Sequence, residues 1–307
     1  MLAAVMLTPQ DRYRGALVGL AAGDAVGTTL EFKPRGSFAP ISDMVGGGPF
    51  ELKPGEWTDD TSMALCLAAS LVYCQGFDAR DQMNRYCNWA DHGYMSSNGR
   101  CFDIGNTVAT ALRRYQASDD PYAGNADPRS AGNGSLMRLA PVALYYHPDR
   151  QAAIFHAGES SRTTHAAAEA IDACRICAHM LCAALDGESK AELISAPAPA
   201  NASERLQAIA AGQYRCASAL SIRGSGYVVD ALEAALWCFD RTDNFADAVL
   251  TAANLGDDAD TTAAICGQLA GAYYGLSGIP AAWCERLVMR EEIVALADAL
   301  GSNAELS

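Results

Sequence analysis

The chain has 307 residues, long for one domain and short for two, and enough to enclose a sizeable apolar core. Half of its residues are hydrophobic and its net charge is −14, so it repels a phosphate backbone, which argues against nucleic acid as a partner. Its eleven cysteines are odd in number and scattered through apolar runs, which excludes a small disulfide-built secreted scaffold and points to a reducing cytoplasm.

In chain order, residues 1–7 are apolar but too few for a signal sequence, and they lack a basic start. Thr8 and Pro9 supply an N-cap and first-turn pair for a helix over 11–22. Asp59 and Asp60 lead into an apolar helix over 61–73, closed by Gly76. Asp78 caps a helix over 79–90, and Gly93 follows it. Helical patterns continue over 106–116, 135–146, 149–157, 166–185, 189–194, 204–211, 228–239, 245–254, 262–274 and 281–300, and no run alternates with period two. Ala196-Pro197-Ala198-Pro199-Ala200 reads as a surface loop, because helical patterns resume on both sides. Cys174 and Cys177 form a CxxC inside a helical pattern with no second pair, so they read as core residues and not as half of a zinc site. Residues 261–284 carry no charge, but Gly267, Gly271, Gly275, Gly278, Pro280 and Gln268 argue for a buried helix ending near Gly275 and against a membrane span. The expected fold is all-α: one multi-helix domain over 1–307, with several helices buried all round.

Two segments break the apolar pattern where loops feed helices: Trp57-Thr58-Asp59-Asp60-Thr61, and Gly256-Asp257-Asp258-Ala259-Asp260-Thr261-Thr262. Capping explains one Asp at a helix start. It does not explain five beside very apolar helices, because gathered carboxylates repel unless cations neutralise them. Neighbouring aspartates diverge on a regular helix, so the spacing predicts convergence at helix starts, where the backbone is not yet helical. The donors are all oxygens, which suits Mg²⁺ or Mn²⁺ and not zinc or copper. Two such segments can hold two ions about 3.5–4 Å apart.

These segments lie in a longer series. It begins with Gly15-Ala16-Leu17-Val18-Gly19 and Gly23-Asp24-Ala25-Val26-Gly27, continues through Thr29-Leu30-Glu31-Phe32, Leu52-Lys53-Pro54-Gly55, the first aspartate segment, Asp103-Ile104-Gly105-Asn106-Thr107, Gly132-Asn133-Gly134-Ser135-Leu136-Met137-Arg138, Ser161-Arg162-Thr163-Thr164-His165 and Gly226-Tyr227, and ends with the second aspartate segment. In this order the motifs resemble the ADP-ribosylglycohydrolase family over nearly the whole chain. The resemblance implies a two-metal centre with Thr58, Asp59, Asp60, Asp258, Asp260 and Thr261 as ligands. It implies catalytic roles for Asp103 and for Glu31, the latter as base or gate. It places Gly132, Asn133, Gly134 and Ser135 at a diphosphate, where bare N–H groups and a following helix can cradle anions. His165 falls by the phosphate or ribose, and Tyr227 is positioned to stack on adenine. Asp257 stands where the family pattern has a second Gly, and no ligand role is carried over to it.

The resemblance therefore implies a hydrolase that frees ADP-ribose from a modified protein. Arginine is the expected linkage, because the Leu52–Gly55 and Asp103–Thr107 stretches are similar to the family's nitrogenase-activating branch. An O-linked hydrolase acting on serine-linked, oligomeric or O-acetyl-ADP-ribose is the alternative within the same chemistry. A non-catalytic ADP-ribose-binding module is the alternative outside it.

Overall fold

The computed structural model describes residues 7–193 and 196–302. Residues 1–6 of the apolar N-terminus, and Ile194 at the end of one expected helix, lie outside them. The described residues form fourteen α-helices: α1 (Pro9–Gly27), α2 (Asp59–Cys74), α3 (Ala79–His92), α4 (Asn106–Ser118), α5 (Ala140–Tyr146), α6 (Arg150–Arg162), α7 (Ala168–Leu185), α8 (Lys190–Leu193), α9 (Glu204–Ala210), α10 (Val228–Asp240), α11 (Phe245–Ala253), α12 (Ala259–Tyr274), α13 (Ala281–Arg286) and α14 (Arg290–Gly301). Among these residues β pairing is confined to three isolated bridges. None of the helices is long and apolar enough to cross a membrane.

Local signals act as expected at several ends. Thr8 Oγ1 accepts from the Asp11 N–H at 3.1 Å, and Asp78 Oδ1 accepts from Asp81 N–H at 2.8 Å. Gly93 ends α3 in the left-handed conformation. One continuous core runs from Tyr13 to Leu300. α1, α2 and α12 lie at its centre, buried on nearly every face.

Several expected boundaries shift. The helix expected over 135–146 starts only at Ala140, and the residues before it form turns. The cause is Pro141: inside a longer helix it would lack an N–H and clash with the preceding turn, whereas it is tolerated in the first turn. The helix expected over 281–300 is two helices, α13 and α14, separated at Leu287–Met289. Tertiary hydrogen bonds capture that break: Val288 N–H donates to Gly55 O at 3.0 Å, and Trp57 Nε1 donates to Val288 O at 3.2 Å. Finally, α2 and α12 begin at Asp59 and Ala259, so Asp59, Asp60 and Asp260 already lie in helical first turns.

α1 and α12 pack with their backbones nearly touching. Glycines four residues apart on α1 face the small residues of α12. A Cβ on Gly23 would come within 2.2 Å of Ala263 O, and one on Gly27 within 2.5 Å of Asp260 Cα. This close approach sets the C-terminal end of α1 directly beside the N-terminal end of α12, which is where the aspartates are.

Candidate active site

The N-termini of α2 and α12 face each other beside the end of α1, and each is capped by an acid from the α1 segment. Thr58, the N-cap of α2, makes no side-chain cap bond of its own. Asp24 of α1 takes that place. It accepts from Thr58 N–H at 2.9 Å and Thr58 Oγ1 at 2.9 Å, and from Thr61 N–H at 3.0 Å and Thr61 Oγ1 at 2.6 Å. Glu31, seven residues on, does the same for α12, its Oε2 accepting from Ala259 N–H at 2.9 Å and Asp260 N–H at 3.3 Å. Glu31 is thus buried, not an exposed loop acid. Because capping is done from outside, Asp59, Asp60, Asp258 and Asp260 are left to face one another. Convergence comes from two facing helix starts; of these residues only Asp258, the N-cap of α12, has the non-helical backbone expected from the sequence, while Asp59, Asp60 and Asp260 are already helical.

Two groups of carboxylate oxygens lie within 4.8 Å of one another: Asp24, Asp60 and Asp260, and Glu31, Asp258 and Asp260. Asp260 belongs to both. Thr58 Oγ1 lies 3.3 Å from Asp60 Oδ2 and 3.4 Å from Asp260 Oδ2, and Thr261 Oγ1 lies 3.4 Å from Asp60 Oδ2. Asp60 Oδ1 is buried with no hydrogen-bond partner. A buried anionic oxygen left unpaired is costly, and a cation would satisfy it. The donor set is oxygen throughout, so the residues present fit a hard divalent ion.

The electrostatics agree. Burial first, and then the neighbouring carboxylates, push Asp59 and Asp60 well above the usual carboxylate range. Burial and Asp260 push Asp24 up to about 7, against hydrogen bonds from Thr61 and Thr58 that pull it down. Asp258 is pushed up to about 7 by burial and Asp260, with a hydrogen bond from Asn133 opposing. Asp103 rises to about 11 through burial, Asp59 and Asp260. Glu31 is raised too, by burial and then Asp260.

Part of the cluster (Glu31, Asp59, Asp258, Asp260 and Thr261) lines the floor of a cavity of about 800 Å³ together with Asp103, and Gly132, Asn133, Gly134 and His165 line its wall; Asp24, Thr58 and Asp60 are not among its lining residues. That volume suits a sizeable organic ligand. No Lys or Arg is among its described lining residues. Asn133 reaches the floor, its Nδ2 donating to Asp258 Oδ2 at 2.8 Å. Ser135 lies behind the wall, bonded to Ser161 Oγ at 2.8 Å. No regular helix follows Gly134 directly, so the expected helix dipole behind this loop is replaced by turns. Tyr227 lines an adjoining cavity that shares Thr107, Gly132 and Gly226 with the first, and its hydroxyl donates to Glu169 Oε2 at 2.5 Å.

Three of the cavity's lining residues have left-handed backbone. Phe32, Asp103 and Asp257 all have φ near +60°, which is costly for non-glycine residues and most unusual for a Phe. A two-way backbone pair holds two of them: Phe32 N–H donates to Asp257 O, and Asp257 N–H to Lys33 O, each at 2.8 Å. Asp257 explains its own departure from the family pattern. The position needs the left-handed conformation that Gly adopts freely and Asp tolerates. Phe32 packs edge-on against Phe50, and Phe50 against Phe102, so an aromatic row joins the Glu31 side of the mouth to the Asp103 side.

Sequence reasoning passed over Asp24. Its signal was a lone charge inside the otherwise apolar run from Gly15 to Gly27, where only a paired or hydrogen-bonded carboxylate is tolerated. Arg138, fully buried behind the cavity wall, is legible in the sequence only as the last residue of its motif.

An all-helical fold whose facing helix starts gather carboxylates and hydroxyls beside a cavity defines the class: a helical protein whose pocket carries an oxygen donor set that fits a divalent ion. Within that class the chain matches the ADP-ribosylglycohydrolase family over residues 6–306, and it belongs to that family. It is 50% identical over 304 residues to "ADP-ribosylarginine hydrolase Tri1" of Pseudomonas putida, covering 98% of this chain and 81% of that protein. It is 34% identical over 291 residues to "ADP-ribosyl-[dinitrogen reductase] glycohydrolase" of Rhodospirillum rubrum, covering 92% of each. A solved structure titled "ADP-ribosylglycohydrolase-related protein complex" superposes with a TM-score of 0.84 at 44% identity, over 96% of this chain and 99% of that one.

Proposed function

We propose that this protein is a divalent-cation-dependent hydrolase that removes ADP-ribose from modified arginine side chains of a protein. The observation that carries the reading is the pair of carboxylate groups sharing Asp260, one of which, Glu31, Asp258 and Asp260, lines the cavity together with Asp103. The names of the 50%- and 47%-identical relatives, both "ADP-ribosylarginine hydrolase Tri1", support the linkage. Thr58, Asp59, Asp60, Asp258, Asp260 and Thr261 would hold two Mg²⁺ or Mn²⁺ ions, which when bound orient ribose hydroxyls and lower the pKa of water.

The chain's own groups do the rest. The reaction breaks the bond between the anomeric carbon and the arginine nitrogen, joins water oxygen to that carbon, and delivers a proton to the nitrogen. Asp103, half-buried at the open side of the cluster, is the group we assign to move that proton. Glu31 stands across from it as a second carboxylate to stabilise positive charge developing on the sugar. The Gly132–Gly134 wall and His165 take the diphosphate, and the Tyr227 cavity takes the base. The departing guanidine faces the row of Phe32, Phe50 and Phe102, whose faces attract a cation. We assign the protein to a reducing cytoplasm from its cysteines, which are mostly buried in apolar helices and not arranged as a disulfide scaffold.

The test is release of ADP-ribose from an arginine-modified protein with Mg²⁺ or Mn²⁺, compared with chelator, Asp258→Ala and Asp103→Asn. We expect turnover only in the intact, metal-supplied protein. Turnover of serine-linked but not arginine-linked substrate would reject the linkage, and binding without release under every condition would reject the hydrolase.

A further inference from the structure

Arg138 is completely buried, yet its partners are neutral. Nη1 donates to Gly134 O at 3.0 Å, Nη2 donates to Thr164 Oγ1 at 2.8 Å, and the guanidinium lies 4.6 Å from the centre of the Tyr86 ring. A buried charge held this way is expensive unless its field and donors are used. Thr164 Oγ1 is in turn 2.9 Å from His165 Nδ1. Arg138 has only donors, so Thr164 accepts from it. The Thr164 hydroxyl proton then has His165 Nδ1 as the acceptor within reach, and Thr164 is itself wholly buried. If Nδ1 carried a hydrogen, that hydroxyl proton would be buried without an acceptor, at a cost of about 1–3 kcal/mol.

The other ring nitrogen meets the cavity wall. A Cβ placed on Gly132 would lie 3.4 Å from His165 Nε2, and one on Gly134 3.1 Å from it. The first distance is ordinary contact, but a Cβ on Gly134 would also lie 2.8 Å from His165 Cε1, so it is Gly134 that leaves room for this edge of the ring beside the cavity that His165 lines. The ring's backbone is also fixed: His165 N–H donates to Ser161 O at 2.7 Å, and His165 O accepts from Ser161 Oγ at 2.8 Å.

We infer that Arg138 is a positioning residue: through Thr164 it holds His165 as the neutral tautomer with hydrogen on Nε2, so that a fixed donor faces an acceptor oxygen of the bound ligand. The identification of that oxygen with the ADP-ribose diphosphate or ribose rests on the proposed function; the tautomer does not. Burial and the nearby Arg138 charge push the His165 pKa down to about 3, which accords with a neutral ring at all working pH values. The arrangement differs from an imidazolium site. It offers one directed hydrogen bond whose strength does not change as pH passes through the usual histidine range.

The experiment reads the tautomer first. In the ligand-free full chain with ¹⁵N-labelled histidine, long-range proton–nitrogen NMR, assigned with His165→Gln, should show Nδ1 unprotonated and Nε2 protonated. Thr164→Val keeps the volume and removes the relay, and it should change that pattern. It should also weaken ADP-ribose binding about tenfold, the scale of one hydrogen bond to a charged acceptor. Thr164→Ser restores the hydroxyl and should recover both readouts, while Arg138→Met should behave like Thr164→Val. Hydrogen on Nδ1 in the unmodified protein overturns the inference, as does a Thr164→Val protein with unchanged tautomer and unchanged affinity. If the unmodified protein shows the Nε2 tautomer but does not bind ADP-ribose, the proposed function fails and the relay stands.

Discussion

Replacing Gly27 with alanine tests whether the site depends on the near-contact of α1 and α12. A Cβ there would sit 2.4 Å from Ala259 O and 2.5 Å from Asp260 Cα, against ordinary contact beyond 3.4 Å. Both obstacles are backbone, so the helices must part by roughly 1 Å. Overpacking of this kind costs about 1–3 kcal/mol, which lowers the melting temperature by roughly 2–5 °C in a chain of this size. The displaced group is Asp260, which belongs to both carboxylate groups. A shift of about 1 Å at a catalytic constellation costs on the order of 100-fold in rate. Gly15→Ala is the control. Its Cβ would lie 2.2 Å from Gly271 O, an equal clash about 16 Å further along α12 at 1.5 Å per residue. It should lower stability similarly while leaving turnover per folded molecule nearly intact. Thermal unfolding followed by circular dichroism gives the first quantity, and ADP-ribose release per folded protein gives the second. Gly27→Ala with normal stability and turnover would refute the reasoning, and so would equal losses of turnover in both variants.

Chelated protein should become less stable as pH rises from about 4 to about 7. Asp24 and Asp258 sit near 7 when folded and near the ordinary carboxylate value when unfolded. The native state therefore binds more protons in that window, and the slope of stability with pH is negative. Saturating Mg²⁺ or Mn²⁺ should flatten or reverse it, because cations replace protons; thermal melts across pH check this, and a flat profile in chelator contradicts it. Phe32→Ala should raise KM for an arginine-linked substrate about two- to fivefold, the scale of an exposed cation–aromatic contact of about 0.5–1 kcal/mol. Affinity for free ADP-ribose should be unchanged, and a matching loss there would move Phe32 from the leaving-group side to the ADP-ribose side.

Much of this protein was readable before any coordinates. Local signals suffice for a helix end such as Thr8-Pro9 or Asp78, because a cap needs only its own neighbours. The concentration of Asp59, Asp60, Asp258 and Asp260 was readable for a different reason. Repeated carboxylates against apolar helices must be neutralised, by a cation or by protons. What the sequence could not decide was how the two aspartate segments meet. Their convergence depends on Gly27 allowing α12 to touch α1, and on Asp24 and Glu31 capping helices that start tens or hundreds of residues away. The break between α13 and α14 is the same case: Gly55 and Trp57 outbid the local helical pattern. His165 could be named from its motif, but the relay through Thr164 to Arg138 exists only once α6 has been folded against the turns before α5. Local preference is a property of neighbouring residues, whereas a hydrogen bond between distant ones exists only after packing has brought them within 3 Å.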